Sequence, residues 1–278
     1  MPELPEVESA RAAIERAALG RRITAVDDTD TWVYRPHAPG QISAALVGRE
    51  LTGALRRGKS MWCETSGLEG SPTPGPVLGV HLGMSGHVLI TDADGELTEG
   101  GDWLGPRTGR AAARAALNPV WSRFTLTFSD GGSLRLFDPR RLGRVRLDPN
   151  LDALGPDAEQ VRRREFGQRL GRGHAPIKAR LLDQSVIAGV GNLLADETLW
   201  QARLAPTRPA DELTDAELIT LHRAMRRATK AAITKGGVHT GRVIPFRRAG
   251  AHCPRCGTEM TRATVGGRTT WWCPQEQT

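Results

Sequence analysis

Nowhere does the sequence run apolar for 18 residues, and its N-terminus lacks the apolar core of a signal peptide. The first absence argues against a membrane-spanning helix and the second against export, so a cytoplasmic protein is expected. Cysteine is scarce: three of the four, Cys253, Cys256 and Cys273, fall within the last 26 residues. Without an export signal, a disulfide framework gives way to metal as the first reading of that cluster. Acid is missing from Leu218 to Gly257, where Arg223, Arg226, Arg227, Lys230, Lys235, Arg242, Arg247, Arg248 and Arg255 all lie. The net charge is +7, and a second basic run, RRREFGQRLGRGH, occupies 162–174. Charge so concentrated favours a polyanionic partner, most simply DNA or RNA. A solvated, arginine-rich surface would carry the same charge, so charge alone does not fix function.

What is present divides the chain in three. Pro5, Glu6 and Glu8 suit the first turn of a helix, Val7, Ala10, Ile14 and Ala17 recur at helical spacing, and Gly20 is its stop. Short β-type runs follow: RITAVD, ELTGALRR, KSMWCE, VLGVHL, HVLI, RFTLTF, SLRLF and GRVRL. Their turn punctuation predicts a β-sandwich. SGLEGSPTPGP (66–76) reads as a loop, and 91–119 as a Gly/Ala/Arg-rich excursion without a predicted fold. Beyond residue 148 the pattern turns helical, at 177–184, 192–202 and 214–237, the last with a capping-box start at Thr214 and Glu217. The final forty residues are too poor in apolar side chains to fold on a core of their own. The expectation is an α+β, bilobal protein: an N-terminal helix and β-sandwich (1–148), a helical domain (149–237) and a terminal finger-like β-hairpin (238–278).

The opening MPELPEVE leaves Pro2 and Glu3 outside the helix argument. With Met1 removed, Pro2 would present a secondary amine, partly unprotonated at neutral pH and able to form an iminium with a sugar carbon. Glu3 beside it could shuttle protons. By itself the pair is weak, since proline is common at the second position.

The rest of the chain changes its weight. MPELPEVE, RRGKS (56–60), VHLGMSG (80–86), FDPRRLG (137–143), IKARLLDQSVIAGVGNLLADETLW (177–200), and CPRCG with GGRTTWWC occur in that order. Together they resemble the formamidopyrimidine-DNA glycosylase/endonuclease VIII family over almost the whole length. The resemblance implies a helix–two-turn–helix motif in the helical domain and a terminal zinc finger. It implies a base-excision-repair DNA glycosylase with AP lyase activity on oxidatively damaged DNA. Pro2 would be the nucleophile, Glu3 the general acid/base, Glu6 a second active-site carboxylate and Lys59 a contact to the phosphate beside the lesion. β- and δ-elimination would then cut the strand on both sides. Met84, Arg140 and Leu142 would fill the gap left by the extruded nucleotide. Leu142 stands where an aromatic wedge is usual. Alone, Met84 and Leu142 would read as core residues, and Lys59 as an exposed turn lysine. Asn192, at a helix start after GVG, and Lys178 would bind phosphate; their plainer readings are an N-cap and an exposed helical lysine. Arg268 would enter the minor groove from the finger. The expected partner is double-stranded DNA with damaged bases or abasic sites, bound by a monomer that works at the bacterial nucleoid.

Two departures bear on these expectations. The fourth finger cysteine is replaced by Glu276, so either Glu276 or His252 would have to complete a zinc site. Otherwise the finger would be held without metal, by Trp271, Trp272 and strand pairing. Only fifteen residues, VHTGRVIPFRRAGAH, separate Gly237 from Cys253. Family members of the 8-oxoguanine type carry a longer segment there that caps the flipped purine, which points instead to ring-opened purines, oxidised pyrimidines or bare abasic sites. The opening MPELPE looks more like the formamidopyrimidine branch, and the base stays open. The rival reading is a damage- or abasic-site-binding protein on the same scaffold, with weak or lost turnover.

Overall fold

A computed structural model describes residues 2–101 and 118–278. These form two compact units, one of the terminus up to Pro2 with Glu6–Asn150, the other of Glu3–Pro5 with Leu151–Thr278.

In the first unit, helix α1 (Leu4–Ala17) buries Val7, Ala10 and Ile14 of the face its spacing predicts, with Ala13 buried beside them and Ala17 half-buried. Two antiparallel sheets make the sandwich. One has the order β2-β3-β4-β9, from β2 (Leu51–Arg57), β3 (Ser60–Thr65), β4 (Leu78–His81) and β9 (Arg144–Leu147). The other is β1-β7-β8-β5-β6, from β1 (Ile23–Asp27), β5 (His87–Thr91), β6 (Leu97–Gly101), β7 (Ser122–Phe128) and β8 (Ser133–Phe137). Strand alternation puts Phe124, Leu126 and Phe128 into a core shared with Ile14, Leu51 and Val80.

Strand β6 corrects the expectation of a foldless stretch over 91–119. LTEGG lacks the β-branched run of a strand, but Gly100 lets its backbone lie on α1: a Cβ there would come within 2.4 Å of the Ser9 carbonyl oxygen. The remainder of that excursion, 102–117, lies outside the described residues. A short helix, α2 (Gln41–Leu46), was also not expected; the Asp28 carboxylate accepts from the Ile42 and Ser43 N–H groups at its start.

In the second unit, α3 (Arg163–Leu170) forms within the basic run, burying Phe166 and Leu170. It packs with α4 (Ile177–Leu182), α5 (Asn192–Ala202) and α6 (Asp215–Lys235) around Leu181, Leu194, Leu199, Leu221 and Met225. The capping box of α6 is present, with Gly236 at φ 89 ending the helix. The terminal hairpin pairs β10 (Thr261–Val265) with β11 (Arg268–Trp272) across Gly266-Gly267, whose φ values of 58 and 69 suit a type I′ turn. A small cluster of Val243, Cys253, Met260 and Cys273 supports it by borrowing Trp200 from α5.

Candidate active site and DNA interface

Pro2 is buried and Glu3 is 1 % exposed. The Glu3 carboxylate accepts three backbone N–H groups: Gly191 (2.9 Å) and Leu194 (3.0 Å) donate to Oε2, and Leu193 (2.8 Å) to Oε1. Helix α5 has no acidic residue in its own first turn, so Glu3 supplies the anion that its N-terminal dipole favours. Three donors and the dipole together favour the ionised carboxylate. Gly191 makes room for it: a Cβ there would come within 2.3 Å of the Glu3 carboxyl carbon. This corrects one expectation. The Gly191, Leu193 and Leu194 amides at the start of α5 bind Glu3 and are not open to a phosphate. Glu6, 1 % exposed, is the other buried carboxylate of this segment.

Lys59 sits at a hairpin tip, in the two-residue turn Gly58-Lys59 between the paired Arg57 and Ser60, with Gly58 at φ 60. Elsewhere in the same unit, the loops bearing Met84 and Arg140 are pressed together backbone to backbone. Gly83, at φ 65, approaches so closely that a Cβ would lie 2.4 Å from the Leu142 carbonyl carbon. Asp138, fully buried, organises both loops. Its Oδ1 accepts from Ser85 Oγ (3.0 Å) and the Arg140 N–H (3.1 Å), and its Oδ2 from the Leu142 and Gly143 N–H groups (both 2.7 Å). Met84 is 39 % exposed, Arg140 is exposed and Leu142 half-buried, so none of the three is a core residue. Asp138 lies inside the FDPRRLG motif, but nothing local in the sequence marks it as the acceptor that ties this loop to Ser85.

Lys178 departs from both of its sequence readings. It is 0 % exposed, and its Nζ lies 2.6 Å from Asp196 Oδ1 and donates to Thr270 Oγ1 at 2.7 Å. Burial pulls this ammonium below the ordinary lysine range, and the Asp196 carboxylate opposes the shift. A lysine so enclosed is not the phosphate contact expected of it. Asn192 donates to the Thr269 carbonyl at 3.0 Å, so its amide also meets the hairpin. Arg268, next to the type I′ turn, is exposed. Asp196 and Arg247, joined at 2.7 Å, were not anticipated; in sequence they are one acid within a helix and one arginine among many.

The three finger thiols gather as expected, their sulfurs all within 4.8 Å of one another and Cys256 Sγ 3.5 Å from Cys273 Sγ. Tetrahedral thiolates at about 2.3 Å from zinc stand about 3.8 Å apart, so the three fit the ion and supply three of its four ligands. Neither expected fourth ligand joins them among the described residues. Glu276 Oε2 is drawn to guanidinium groups, 3.4 Å from Arg203 and 4.0 Å from Arg255, and His252 is exposed. Burial and the neighbouring thiols push Cys273 up to about 11. At Cys253 burial is outweighed by the Trp200 indole and the Arg255 and Cys256 backbone, which bring it down to about 7.

Residues 1–145 match the family model of the formamidopyrimidine-DNA glycosylase N-terminal domain, and 153–242 that of the formamidopyrimidine-DNA glycosylase H2TH domain. Formamidopyrimidine-DNA glycosylase of Corynebacterium aurimucosum is 33% identical, covering 100% of this chain and 96% of its own. The protein of that name from Chloroflexus aurantiacus is also 33% identical, over 99% and 96%. Among solved structures, Lactococcus lactis Fpg in complex with abasic-site DNA matches with a TM-score of 0.78 at 26% identity, covering 99% of both chains. MutM bound to DNA containing carbocyclic 8-oxo-G matches with a TM-score of 0.78 at 27% identity, again over 99% of both. No helix among the described residues is long and apolar enough to cross a membrane.

Proposed function

The chain belongs to the formamidopyrimidine-DNA glycosylase family, and from that membership we propose that it is a base-excision-repair DNA glycosylase with AP lyase activity on oxidatively damaged DNA. The observation that carries the reading furthest is the fixing of Glu3, peptide-bonded to Pro2, by three amide donors. A carboxylate so held enters the reaction as a base and does not need to be reoriented. Once Met1 is removed, the Pro2 nitrogen attacks the sugar C1′, the damaged base leaves, and the opened sugar remains joined to Pro2 as an iminium. Glu3 transfers protons in ring opening and then in abstraction from the sugar, which drives elimination of the phosphates on both sides.

Lys59 holds the phosphate beside the lesion, Arg268 enters the minor groove, and Glu6 serves as a second carboxylate. Met84, Arg140 and Leu142 occupy the place of the extruded nucleotide, with Arg140 donating to the orphaned base. Zinc, where bound by Cys253, Cys256 and Cys273, contributes a structural cross-link within the finger. The short segment after Gly237 is tied down, with the Val243 N–H donating to Glu197 Oε2 at 2.9 Å. Its fifteen residues fall short of the longer purine-capping segment that the resemblance associates with 8-oxoguanine-type members, and so favour ring-opened purines, oxidised pyrimidines and abasic sites as substrates. The protein acts as a monomer in the cytoplasm, at the nucleoid, with the hairpin of 238–278 carried on the helical domain.

Borohydride trapping on an abasic-site duplex tests the chemistry. Wild-type protein beginning at Pro2 is expected to form a covalent adduct, and Pro2→Gly to lose it. No adduct from correctly processed protein would leave the damage-binding reading in its place.

A further inference from the structure

Four buried or half-buried polar groups converge on the terminal hairpin, three from the helices beneath it and Arg247 from the connecting segment. Lys178 Nζ, on α4, donates to Thr270 Oγ1 at 2.7 Å, and that hydroxyl donates onward to the Arg268 carbonyl at 3.0 Å. Asp196, on α5, pairs with the Lys178 ammonium at 2.6 Å and accepts from Arg247 at 2.7 Å, and its Oδ2 lies 3.4 Å from the Trp271 N–H. Arg247 Nη2 and Asn192 Nδ2 both donate to the Thr269 carbonyl, at 3.2 and 3.0 Å. The backbone of three successive residues, 269 to 271, or the side chain between them, is therefore held by one ion-paired group. The turn itself backs on α4, since a Cβ at Gly266 would stand 3.0 Å from the Ala179 Cα.

We propose that the Lys178–Asp196–Arg247 cluster is the clamp that positions Arg268, so that the hairpin keeps its place without the finger metal. Lys178 is then a positioning residue, acting on DNA through Thr270 and Arg268. Two features support this division of labour. The metal cluster has only three thiols, with Glu276 drawn to Arg203 and Arg255, so its fourth position has no side chain among the described residues. The clamp is dry: Lys178 and Asp196 are 0 % and 2 % exposed, where an ion pair holds its geometry and little salt reaches it. An ion pair this buried is retained for the arrangement it imposes more than for net stability. The effect on DNA rests on the reading of Arg268 as a DNA contact; the clamp on the hairpin does not.

Hydrogen exchange across 261–272 in the full-length protein tests the clamp directly. Lys178→Met and Thr270→Val are expected to speed exchange of the hairpin amides about tenfold or more, the loss of one charge-assisted hydrogen bond. Thr270→Val leaves every charge paired and so guards against a Lys178→Met that fails to fold. Stripping metal with a chelator is expected to change hairpin exchange by less than about twofold on the same scale. Unchanged exchange in both variants, or loosening on metal removal alone, would overturn the proposal. Affinity for a duplex with a tetrahydrofuran abasic-site analogue gives the second readout. Lys178→Met is expected to add nothing to Arg268→Ala, as for groups acting in series. Losses that multiply would mean that Lys178 contacts DNA on its own account, against the proposal. If Arg268→Ala leaves affinity unchanged, the reading of Arg268 fails, and exchange alone decides the clamp.

Discussion

Gly191→Ala adds one methyl group and changes no chemical function, yet it is expected to damage the site severely. The new Cβ would stand 2.3 Å from the Glu3 carboxyl carbon, 2.5 Å from its Cγ and 2.6 Å from Oε1. Gly191 has φ −117, so the backbone conformation itself suits alanine and the effect is one of space alone. Relief to ordinary contact moves the carboxylate by about 1 Å, which breaks at least two of the three N–H bonds. At about 1.5 kcal/mol for each charged hydrogen bond, the loss is about 3 kcal/mol. For a unit of this size that lowers Tm by about 10 °C. If Glu3 is also the proton-transfer group, the same 1 Å misplacement costs about 100-fold in rate. Thermal unfolding and single-turnover borohydride trapping, run below the transition, read the two effects separately. A variant with wild-type Tm and wild-type trapping would show that Glu3 is neither cap nor catalyst. A fall in Tm with trapping unchanged would leave the cap and remove the catalyst.

Three further outcomes are expected. Asp138→Ala removes a buried acceptor of four hydrogen bonds, so stability falls by about 2–4 kcal/mol in denaturant titration, and base excision falls with it as Met84 and Arg140 lose their support. Glu217 is held at about 2, below its usual 4.5, chiefly by the Arg208 guanidinium. A depressed carboxylate stabilises the fold above its unfolded value, and that contribution is lost as pH falls from 4.5 to 2; Glu217→Gln is expected to lower Tm at pH 6 and to flatten Tm against pH in that window. Elemental analysis is expected to find zinc retained in Glu276→Ala and lost in Cys273→Ser, whereas loss in Glu276→Ala would make the carboxylate a ligand after all.

Where local pattern governs structure, the sequence was readable. The face of α1, the eight expected strands and the capping box of α6 follow from alternation, helical spacing and a Thr–Glu pair three residues apart. Strand β6 was not, because its place depends on Gly100 meeting Ser9, a contact with no trace in LTEGG. Nor was α3, whose two buried residues, Phe166 and Leu170, are hidden among arginines. At the site, the resemblance supplied the identities, but the partners came only with the fold. Glu3 finds its donors in Gly191, Leu193 and Leu194, far along the chain. Lys178 looked like a surface lysine because nothing local announces a buried one, and the Asp196 carboxylate makes its burial tolerable.

Asp138 shapes its loop through the amides of residues 140, 142 and 143, never through their side chains. The conformation of that loop is thus largely indifferent to what positions 140 and 142 carry, whereas a Cβ at Gly143 would come within 3.1 Å of Leu136 Cδ2, and Arg141 holds a φ of 54 that suits few residues other than glycine and asparagine. Positions 140 and 142 behave as interchangeable heads on a fixed mount. An engineer seeking a different opposite-base preference could vary both together, Leu142 to an aromatic residue included, and keep the loop.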